Sequence, residues 1–282
     1  MYSLSQKIID MKITNHLLEG STVKKLSCPK NNRKFGAGYP DSVIIHYTAG
    51  SNAENSANYL CKDSVKASAH LVIGRDARIF QLVPFDTIAW HAGESAYNGR
   101  SGYNNFSIGI ELDNAGLLTK TKEGYQTWFG NEISANEVIK ARHRNEATER
   151  NWQTYTQVQL QACREVCILL IEKYAIKEML GHEEIAPLRK QDPGPAFPLD
   201  KMRNLLLYGD RQEENPAFQS FDVKVLPDKL NIRTGPGTGY EASVQPLLKD
   251  TRLKVLEEKN GWYRVETTIR GWVSKDFVEK ES

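Results

Sequence analysis

The segment GHEEIAPLRKQDPGPAF, residues 181–197, places His182, Lys190 and Asp192 in one short stretch of the chain. Its three prolines and Gly194 exclude a long regular helix or strand, because proline fixes φ and lacks the amide donor. They predict an irregular, stiff loop that holds polar side chains at fixed separations. A histidine and an aspartate on such a loop are candidate metal ligands. The lysine between them is a candidate cation beside the same ion.

A third ligand is available where a predicted strand ends. Residues 42–48, SVIIHYT, are rich in β-branched and aromatic residues, which indicates a strand with His46 near its end. His46, His182 and Asp192 form a set of nitrogen and oxygen ligands that Zn²⁺ accepts, and three protein ligands leave a fourth position for water. The sequence therefore predicts a catalytic zinc site, although single histidines also occur as core or surface residues.

Two further residues extend the predicted site. Glu111 lies in SIGIELDN, an otherwise apolar strand in which an unpaired carboxylate is costly to bury. Near a zinc-bound water it can act as a general base. Lys190 can stabilise the oxyanion that forms when water attacks a carbonyl. The alternative interpretations are a strand-end carboxylate in solvent and an exposed loop lysine.

The elements around these residues alternate between strand-like and helix-like patterns. Residues 155–174 have apolar residues at helical spacing, with Thr156 as the N-cap and Cys163 and Cys167 one turn apart. Buried packing is favoured over metal binding for this cysteine pair. The fold class is therefore α/β, with a central mixed sheet flanked by helices. The strand-like segments are residues 42–48, 70–83 and 106–113.

The composition of the 282 residues, with a net charge of +2, is typical of a globular protein with one large domain or two unequal ones. This charge balance gives no argument for nucleic acid or an anionic membrane as a partner. Residues 141–151, ARHRNEATERN, mix both signs and predict a solvated loop or helix face. Without a visible export signal, we expect free thiols rather than a disulfide framework.

The chain changes character near Tyr208. Residues 210–220 are polar and without periodicity, which predicts a linker. Residues 221–282 contain short alternating segments separated by turn signals, which predict a small all-β domain. The first domain therefore spans residues 1–209, of which roughly 25 N-terminal residues form an extension.

Four ordered motifs resemble the zinc-dependent N-acetylmuramoyl-L-alanine amidases, and more closely the branch that includes the anhydro-muropeptide amidases. The resemblance extends over residues 30–208. It implies the α/β fold shared with the peptidoglycan recognition proteins, one zinc ion per chain, and hydrolysis of the amide between N-acetylmuramic acid and L-alanine in peptidoglycan or muropeptides. The motifs are IIHYTAG, ASAHLVIGRDARIFQLVPFDTIAWHAG, SIGIELDNAG and GHEEIAPLRKQDPGPAF.

The resemblance also implies a role for each site residue. A related branch has a tyrosine before the histidine of the second motif and a cysteine as third ligand. Ala69 and Asp192 stand at these positions, so the glutamate-based branch fits. His70 and His91 are expected to border the substrate, with structural hydrogen bonding as the alternative for both. The zinc ligands fall on His46, His182 and Asp192, the catalytic glutamate on Glu111 and the oxyanion lysine on Lys190.

The C-terminal domain resembles bacterial SH3 domains through LNIRTGPGTGY and NGWYRVET. Such modules often bind wall peptides or glycans. Trp262, Tyr263 and Trp272 fit a stacking surface for cell wall and fit the core of a small barrel equally well.

The expected location and the alternative function follow from these features. Charged residues interrupt the N-terminal sequence before a signal peptide can form, so a cytoplasmic enzyme is expected. A wall-binding domain favours the alternative of delivery to the cell wall without a cleavable signal, by phage-type lysis or specialised secretion. A non-catalytic peptidoglycan-binding protein is the alternative function, and the complete set of predicted catalytic residues favours the enzyme.

Overall fold

The structure is a computed structural model that describes residues 10–26, 28–30, 33–208, 221–233, 242, 245–259 and 262–267. The chain separates into two compact units, with the boundary between Asp210 and Arg211. All the candidate catalytic and metal-binding residues belong to the first unit. No helix among the described residues is both long enough and apolar enough to cross a membrane.

The described residues of the first unit form strands, helices and two short 3₁₀ helices, Tyr103–Asn105 and Ala135–Glu137. Its first elements are β1 (Met11–Thr14), β2 (Leu17–Gly20), β3 (Val23–Lys25), β4 (Ser42–Tyr47), α1 (Ala53–Leu60), β5 (Leu71–Ile73), β6 (Ile79–Gln81), β7 (Ala96–Tyr97), β8 (Arg100–Ser101) and β9 (Ser107–Leu112). Its later elements are β10 (Leu117–Lys120), β11 (Tyr125–Gln126), β12 (Glu132–Ile133), β13 (Val138–Arg142), β14 (Glu149–Gln153), α2 (Gln157–Tyr174), β15 (Glu178–Gly181), α3 (His182–Ile185) and α4 (Leu199–Leu207).

A six-stranded central sheet, in the order β15-β4-β9-β5-β6-β3, forms the middle of this unit. Strand β4 runs parallel to β15 and β9, whereas β5 and β6 are antiparallel, so the sheet is mixed. Val43, Ile44 and Ile45 of β4 are all buried, because neighbouring elements cover both faces of the sheet. The predicted fold class and the three predicted strand regions are confirmed.

Helix α2 packs against the central sheet through a buried apolar face. The side chain of Thr156 accepts a hydrogen bond from the backbone N–H of Gln159 at 3.2 Å, which confirms the predicted N-cap. Cys163 and Cys167 are fully buried in the same core as the sheet residues. Their predicted packing role is therefore confirmed.

The N-terminal stretch that the sequence assigns to an extension contacts the central sheet. Strands β1 and β2 form a hairpin, and β3 pairs in parallel with β6 at the edge of the sheet. Met11 and Leu18 are buried in the main core, and the backbone N–H of Leu18 donates to Oε1 of Gln81 at 2.7 Å.

A second sheet of five strands, in the order β12-β11-β10-β14-β13, occupies residues 117–153 between β9 and α2, and we call it the accessory sheet. The sequence predicted a solvated loop or helix face for residues 141–151. This holds for residues 143–148, which form a mostly exposed turn, but it is wrong for the residues on either side, which form the end of β13 and the start of β14. The outward side chains form exposed ion pairs such as Lys140–Glu149 at 3.2 Å, whereas His143 is buried. Because most residues of this segment are charged or polar, the alternation that is typical of strands is not visible in its sequence.

The second unit is built from short strands. Strands β16, β19 and β20 form an antiparallel sheet, and β17 pairs with β18. This confirms the predicted all-β class. Trp262 is half-buried and Tyr263 is 48% exposed, whereas Trp272 lies outside the described residues. The strands are β16 (Phe221–Lys224), β17 (Lys229–Leu230), β18 (Leu247–Leu248), β19 (Arg252–Lys259) and β20 (Trp262–Glu266).

Candidate active site

His46 and Glu111 lie side by side near the carboxyl ends of two parallel strands. The ladder between β4 and β9 pairs His46 directly with Glu111. Residues paired across neighbouring strands direct their side chains to the same face of a sheet, so the imidazole and the carboxylate share one face. The backbone of the central sheet therefore sets the separation between these two residues.

His182 reaches the same edge of the sheet through β15. This strand runs parallel to β4, with Gly181 opposite Ile45, so His182 leaves the sheet next to His46. The chain then forms the one-turn helix α3 and returns, and the backbone N–H of Glu183 donates to the carbonyl of Asp192 at 2.8 Å. We call residues 182–194 the site loop. As the prolines predicted, it contains no long helix or strand, although the short α3 helix was not expected.

The three predicted ligands converge on one point. The Nδ1 atoms of His46 and His182 are 2.9 Å apart, and each lies 2.9 Å from Oδ2 of Asp192. All three side chains are buried, and they form the group of histidine, cysteine and acidic residues in the described part of the chain that could hold a metal ion. Tetrahedral ligation by such groups at ~2.0–2.1 Å separates the ligand atoms by about 3.3 Å. The three sides of the observed triangle, 2.9 Å each, are slightly shorter than this separation, so these residues fit a metal ion.

Hydrogen bonds on the far side of each imidazole leave Nδ1 available for a metal. Nε2 of His182 donates to the carbonyl of Ala92 at 3.1 Å. Nε2 of His46 lies 3.0 Å from Nδ1 of His91, and Nε2 of His91 lies 3.2 Å from the carbonyl of Ser107. Since a carbonyl only accepts, His91 carries its proton on Nε2 and accepts from His46. Such partners fix the tautomer and the orientation of ligating histidines.

The charge states of the ligands also suit a metal site. Burial, followed by the nearby His182, lowers the pKa of His46 to about 4, so its imidazole is neutral at neutral pH. Burial by itself would raise the pKa of Asp192, but the neighbouring imidazoles of His182 and His46 outweigh burial and lower that pKa. A neutral imidazole and an ionised carboxylate are the forms that bind metals.

Glu111 has the environment of a proton acceptor. Its Oε2 atom is buried, and it has no hydrogen-bond partner among the described residues. Burial, and then the charge of Asp192, raise the pKa of Glu111 well above its usual value, and Lys190 partly opposes this shift. Because unpartnered buried carboxylates are rare in proteins, this one fits a functional role rather than a structural one.

These residues line a groove of ≈1280 Å³. Helix α1 contributes Tyr59 to one wall, and the accessory sheet contributes Trp128, which is 73% exposed. Nε1 of Trp128 donates to the carbonyl of Ala49 at 2.9 Å, so the indole is held in place at the rim. Lys190 lines the same groove, and its backbone N–H donates to Ala186 at 3.0 Å. Neither Trp128 nor Tyr59 was predicted from the sequence, although the aromatic pair Trp128–Phe129 in a polar segment was a usable signal.

His70 and His91 have different surroundings from those expected. His70 is fully buried, with Nδ1 accepting from the Gly109 N–H at 3.0 Å and Nε2 2.8 Å from the Thr87 carbonyl. It does not reach the groove, so the expectation that it borders the substrate is corrected to a structural role. His91 does border the groove, but its ring lies beneath His46 and holds that ligand. The structure thus brings together five of the seven predicted residues around one point, with His91 behind them.

Comparison with known proteins agrees with this site. Residues 36–195 match the family described as N-acetylmuramoyl-L-alanine amidase, and residues 228–279 match the bacterial SH3 domain. The first match covers more than half of the chain. The chain therefore belongs to the N-acetylmuramoyl-L-alanine amidase family, as its motifs predicted.

Individual relatives show the same likeness. The chain is 38% identical over 144 residues to the 1,6-anhydro-N-acetylmuramyl-L-alanine amidase AmpD of Escherichia coli (strain K12), covering 50% of this chain and 60% of that protein. It is 32% identical over 181 residues to the N-acetylmuramoyl-L-alanine amidase AmiD of the same organism, covering 60% of this chain and 55% of the relative. The chain thus spans less than two thirds of the length of these relatives. The alignment with a crystal structure of a selenomethionine AmpD derivative covers 70% of this chain and 99% of the AmpD chain. Its TM-score is 0.50 and the sequence identity is 29%.

Proposed function

We propose that this protein is a zinc-dependent amidase that hydrolyses the bond between the lactyl group of N-acetylmuramic acid and L-alanine in peptidoglycan or muropeptides. The observation that carries this proposal is the buried triangle of His46, His182 and Asp192 with Glu111 beside it on the neighbouring strand. Membership of the amidase family supports the choice of substrate bond.

The three ligands would hold one zinc ion at the floor of the groove. As a Lewis acid, zinc held there would polarise the carbonyl and lower the pKa of a water molecule toward ~7. The ligand set favours zinc because two imidazoles and one carboxylate suit this ion and leave a position open.

Glu111 is the proposed general base. Its carboxylate takes a proton from the attacking water and later delivers it to the leaving amine of L-alanine. The raised pKa makes this carboxylate a stronger base than a solvated one, and the nearby Lys190 favours its ionised form. The register between β4 and β9 pairs Glu111 with His46, which supports this role.

Lys190 is the proposed stabiliser of the tetrahedral oxyanion. It belongs to the site loop, two residues before the ligand Asp192, and faces the groove that Glu111 lines. A fixed cation beside the developing negative charge stabilises the transition state more than the ground state. His91 and Ser107 act behind His46 and keep its Nδ1 directed at the metal.

The exposed aromatic residues of the groove would contact the substrate. Trp128 and Tyr59 offer flat apolar faces, and sugar rings and stem peptides both carry apolar surface that such faces can bind. We also propose that the C-terminal unit binds cell wall, with Tyr263 as the exposed aromatic candidate among its described residues. Activity on intact wall would then favour delivery to the wall over a cytoplasmic location.

The direct test is digestion of purified sacculi and of a soluble anhydro-muropeptide in parallel, with mass spectrometry of the products. Each reaction is run as purified, with a chelator, and with the chelator followed by added zinc. The expected result is release of free stem peptide, lost on chelation and restored by zinc. Cleavage of sacculi would favour a wall enzyme, and cleavage of the soluble fragment alone would favour a cytoplasmic one. No cleavage of either substrate would support the non-catalytic binding protein instead.

A further inference from the structure

The site loop carries two of the three ligands, and the central sheet holds it at one end only. Strand β15 fixes His182, but Asp192 lies ten residues further on, in a segment without strand pairing. Outside the central sheet, Tyr155 and Arg203 contact this loop, and the loop also contacts β14 and the turn between β13 and β14. We call residues 138–153 the accessory hairpin.

His143, at the turn of the accessory hairpin, contacts the site loop directly. Its Nε2 atom lies 2.6 Å from Oε2 of Glu183, and both residues are buried. Nδ1 of His143 accepts from the backbone N–H of Asn145 at 3.2 Å, so the proton is on Nε2 and is donated to Glu183. A buried hydrogen bond to a carboxylate is sensitive to loss of either partner.

Glu183 connects this contact to both ligands. It follows His182 in the chain, and its backbone N–H donates to the carbonyl of Asp192 at 2.8 Å. Its Oε2 atom also accepts from the backbone N–H of Gly194 at 3.1 Å. One carboxylate therefore joins the accessory hairpin to the segments on both sides of the loop.

Packing at Gly194 adds a second constraint on the loop. Gly194 has a φ of +72°, and a Cβ atom added there would lie 3.3 Å from the ring of Trp152. The Trp152 ring stacks on His143 with centroids 5.6 Å apart and an interplanar angle of 26°. The indole of the hairpin thus contacts the loop backbone just after Asp192.

Polar contacts extend along the rest of the loop. Nδ2 of Asn145 donates to the carbonyl of Glu183 at 2.9 Å, and Nε2 of Gln191 donates to Glu146. Nε of Arg144 lies 3.1 Å from Oε1 of Glu183. Four consecutive hairpin residues, 143–146, therefore contact the loop.

We propose that the accessory hairpin is a clamp that sets the separation of His182 and Asp192, with His143 and Glu183 as positioning residues. This inference rests on the proposed function, because it assumes that the triangle binds a metal. The accessory hairpin then has a task beyond lining the groove: it preorganises the metal site. Loss of partners that orient metal ligands typically weakens metal affinity about 10–100-fold.

The experiment measures the dissociation constant of zinc for the full-length protein by competition with a chelating indicator. The test variants are His143→Ala and Glu183→Ala, and His143→Gln is the conservative variant whose amide can replace the Nε2–H donor. The matched controls are Lys140→Ala and Glu149→Ala, since this pair belongs to the same hairpin but is exposed and forms its ion pair away from the loop. Circular dichroism and the unfolding temperature of the zinc-free proteins identify variants that remain folded.

The expected result is zinc affinity about 10–100-fold weaker for the two alanine test variants, with partial rescue in His143→Gln and no change in the controls. If either alanine variant fails to fold, Asn145→Ala removes one partly buried contact to the Glu183 carbonyl, and we expect a several-fold weaker affinity for it. Folded test variants that bind zinc as tightly as the wild-type protein would overturn the clamp. A wild-type protein that binds no zinc would instead overturn the proposed function, and the clamp with it.

Discussion

The central sheet and the accessory sheet both contribute to one site, but they hold their residues by different means. In the central sheet, β4 and β9 are buried on both faces, and the ladder between them pairs His46 with Glu111. In the accessory sheet, β13 has no buried residue, and its end reaches the site through side chains such as His143. Backbone pairing fixes the proposed base and His46 and leads directly into His182, whereas the segment that carries Asp192 depends on contacts made by side chains.

This difference predicts different sensitivities to mutation. A residue placed by the backbone ladder keeps its position when a neighbouring side chain is changed, so its substitution should affect only its own chemistry. A residue placed by side-chain contacts depends on each partner. We expect substitutions in the central sheet to cause large changes in turnover or in the free energy of unfolding. Substitutions at the groove rim should cause small changes in substrate binding.

The largest effect is expected from Glu111→Gln. The amide keeps the shape of the side chain but cannot accept the proton of water, so we expect kcat to fall by about 10²–10⁴-fold. Zinc content, measured by plasma mass spectrometry, should stay at the wild-type level because the ligands keep their positions. A variant with near-normal turnover would show that another group is the base.

A smaller loss of turnover is expected from Lys190→Met, which removes the cation but keeps the apolar stem. We expect kcat to fall by about 10²–10³-fold, because one stabiliser of the oxyanion is lost. Lys62→Met is the matched control, since Lys62 also lines the groove but belongs to the segment after α1. Equal losses in the two variants, measured in steady-state assays, would argue against a specific role for Lys190.

Gly109→Ala tests the packing of the central sheet. A Cβ atom at this position would lie 2.3 Å from Cγ of His91, so the ring behind His46 would have to move. Overpacking of this kind costs about 1–3 kcal/mol in the free energy of unfolding. Chemical denaturation should show this loss, and Glu149→Ala in the accessory sheet should change stability by less than about 0.5 kcal/mol. Equal losses in the free energy of unfolding for Gly109→Ala and Glu149→Ala would mean that the two sheets are equally sensitive to substitution.

The smallest effect is expected at the groove rim, from Trp128→Ala. Loss of an exposed aromatic contact is worth about 0.5–1.5 kcal/mol, so KM should rise by roughly 2–13-fold with kcat nearly unchanged. Trp90→Ala is the control, since Trp90 is also exposed but does not line the groove. An unchanged KM in the Trp128 variant would show that this wall of the groove does not contact the substrate.

The parts of the site that depend on local sequence could be predicted. The apolar strand ending at His46, the carboxylate of Glu111 within an apolar strand and the proline-rich site loop each carry a signal in their own residue types. Strand periodicity and ligand chemistry are local properties. Strand periodicity and ligand chemistry were sufficient to predict that the candidate ligands and the proposed base belong to one site.

The remaining parts depend on contacts between distant segments. His143 lies 40 residues from Glu183 in the chain, and nothing in the charged stretch around it indicates a buried partner. His91 lies 45 residues from His46, and its role behind that ligand depends on the space left by Gly109. Sequence patterns describe which faces are polar, but not which polar side chains meet.

Hydrolysis in ¹⁸O-labelled water shows whether water attacks the lactyl carbonyl of N-acetylmuramic acid, as we propose. The zinc-loaded protein is incubated with a soluble muropeptide, and both products are analysed by mass spectrometry. We predict one ¹⁸O atom in the lactyl carboxylate of the sugar product and none in the released stem peptide. Label in a peptide carboxylate would identify a peptidase, and no cleavage would contradict an enzymatic function.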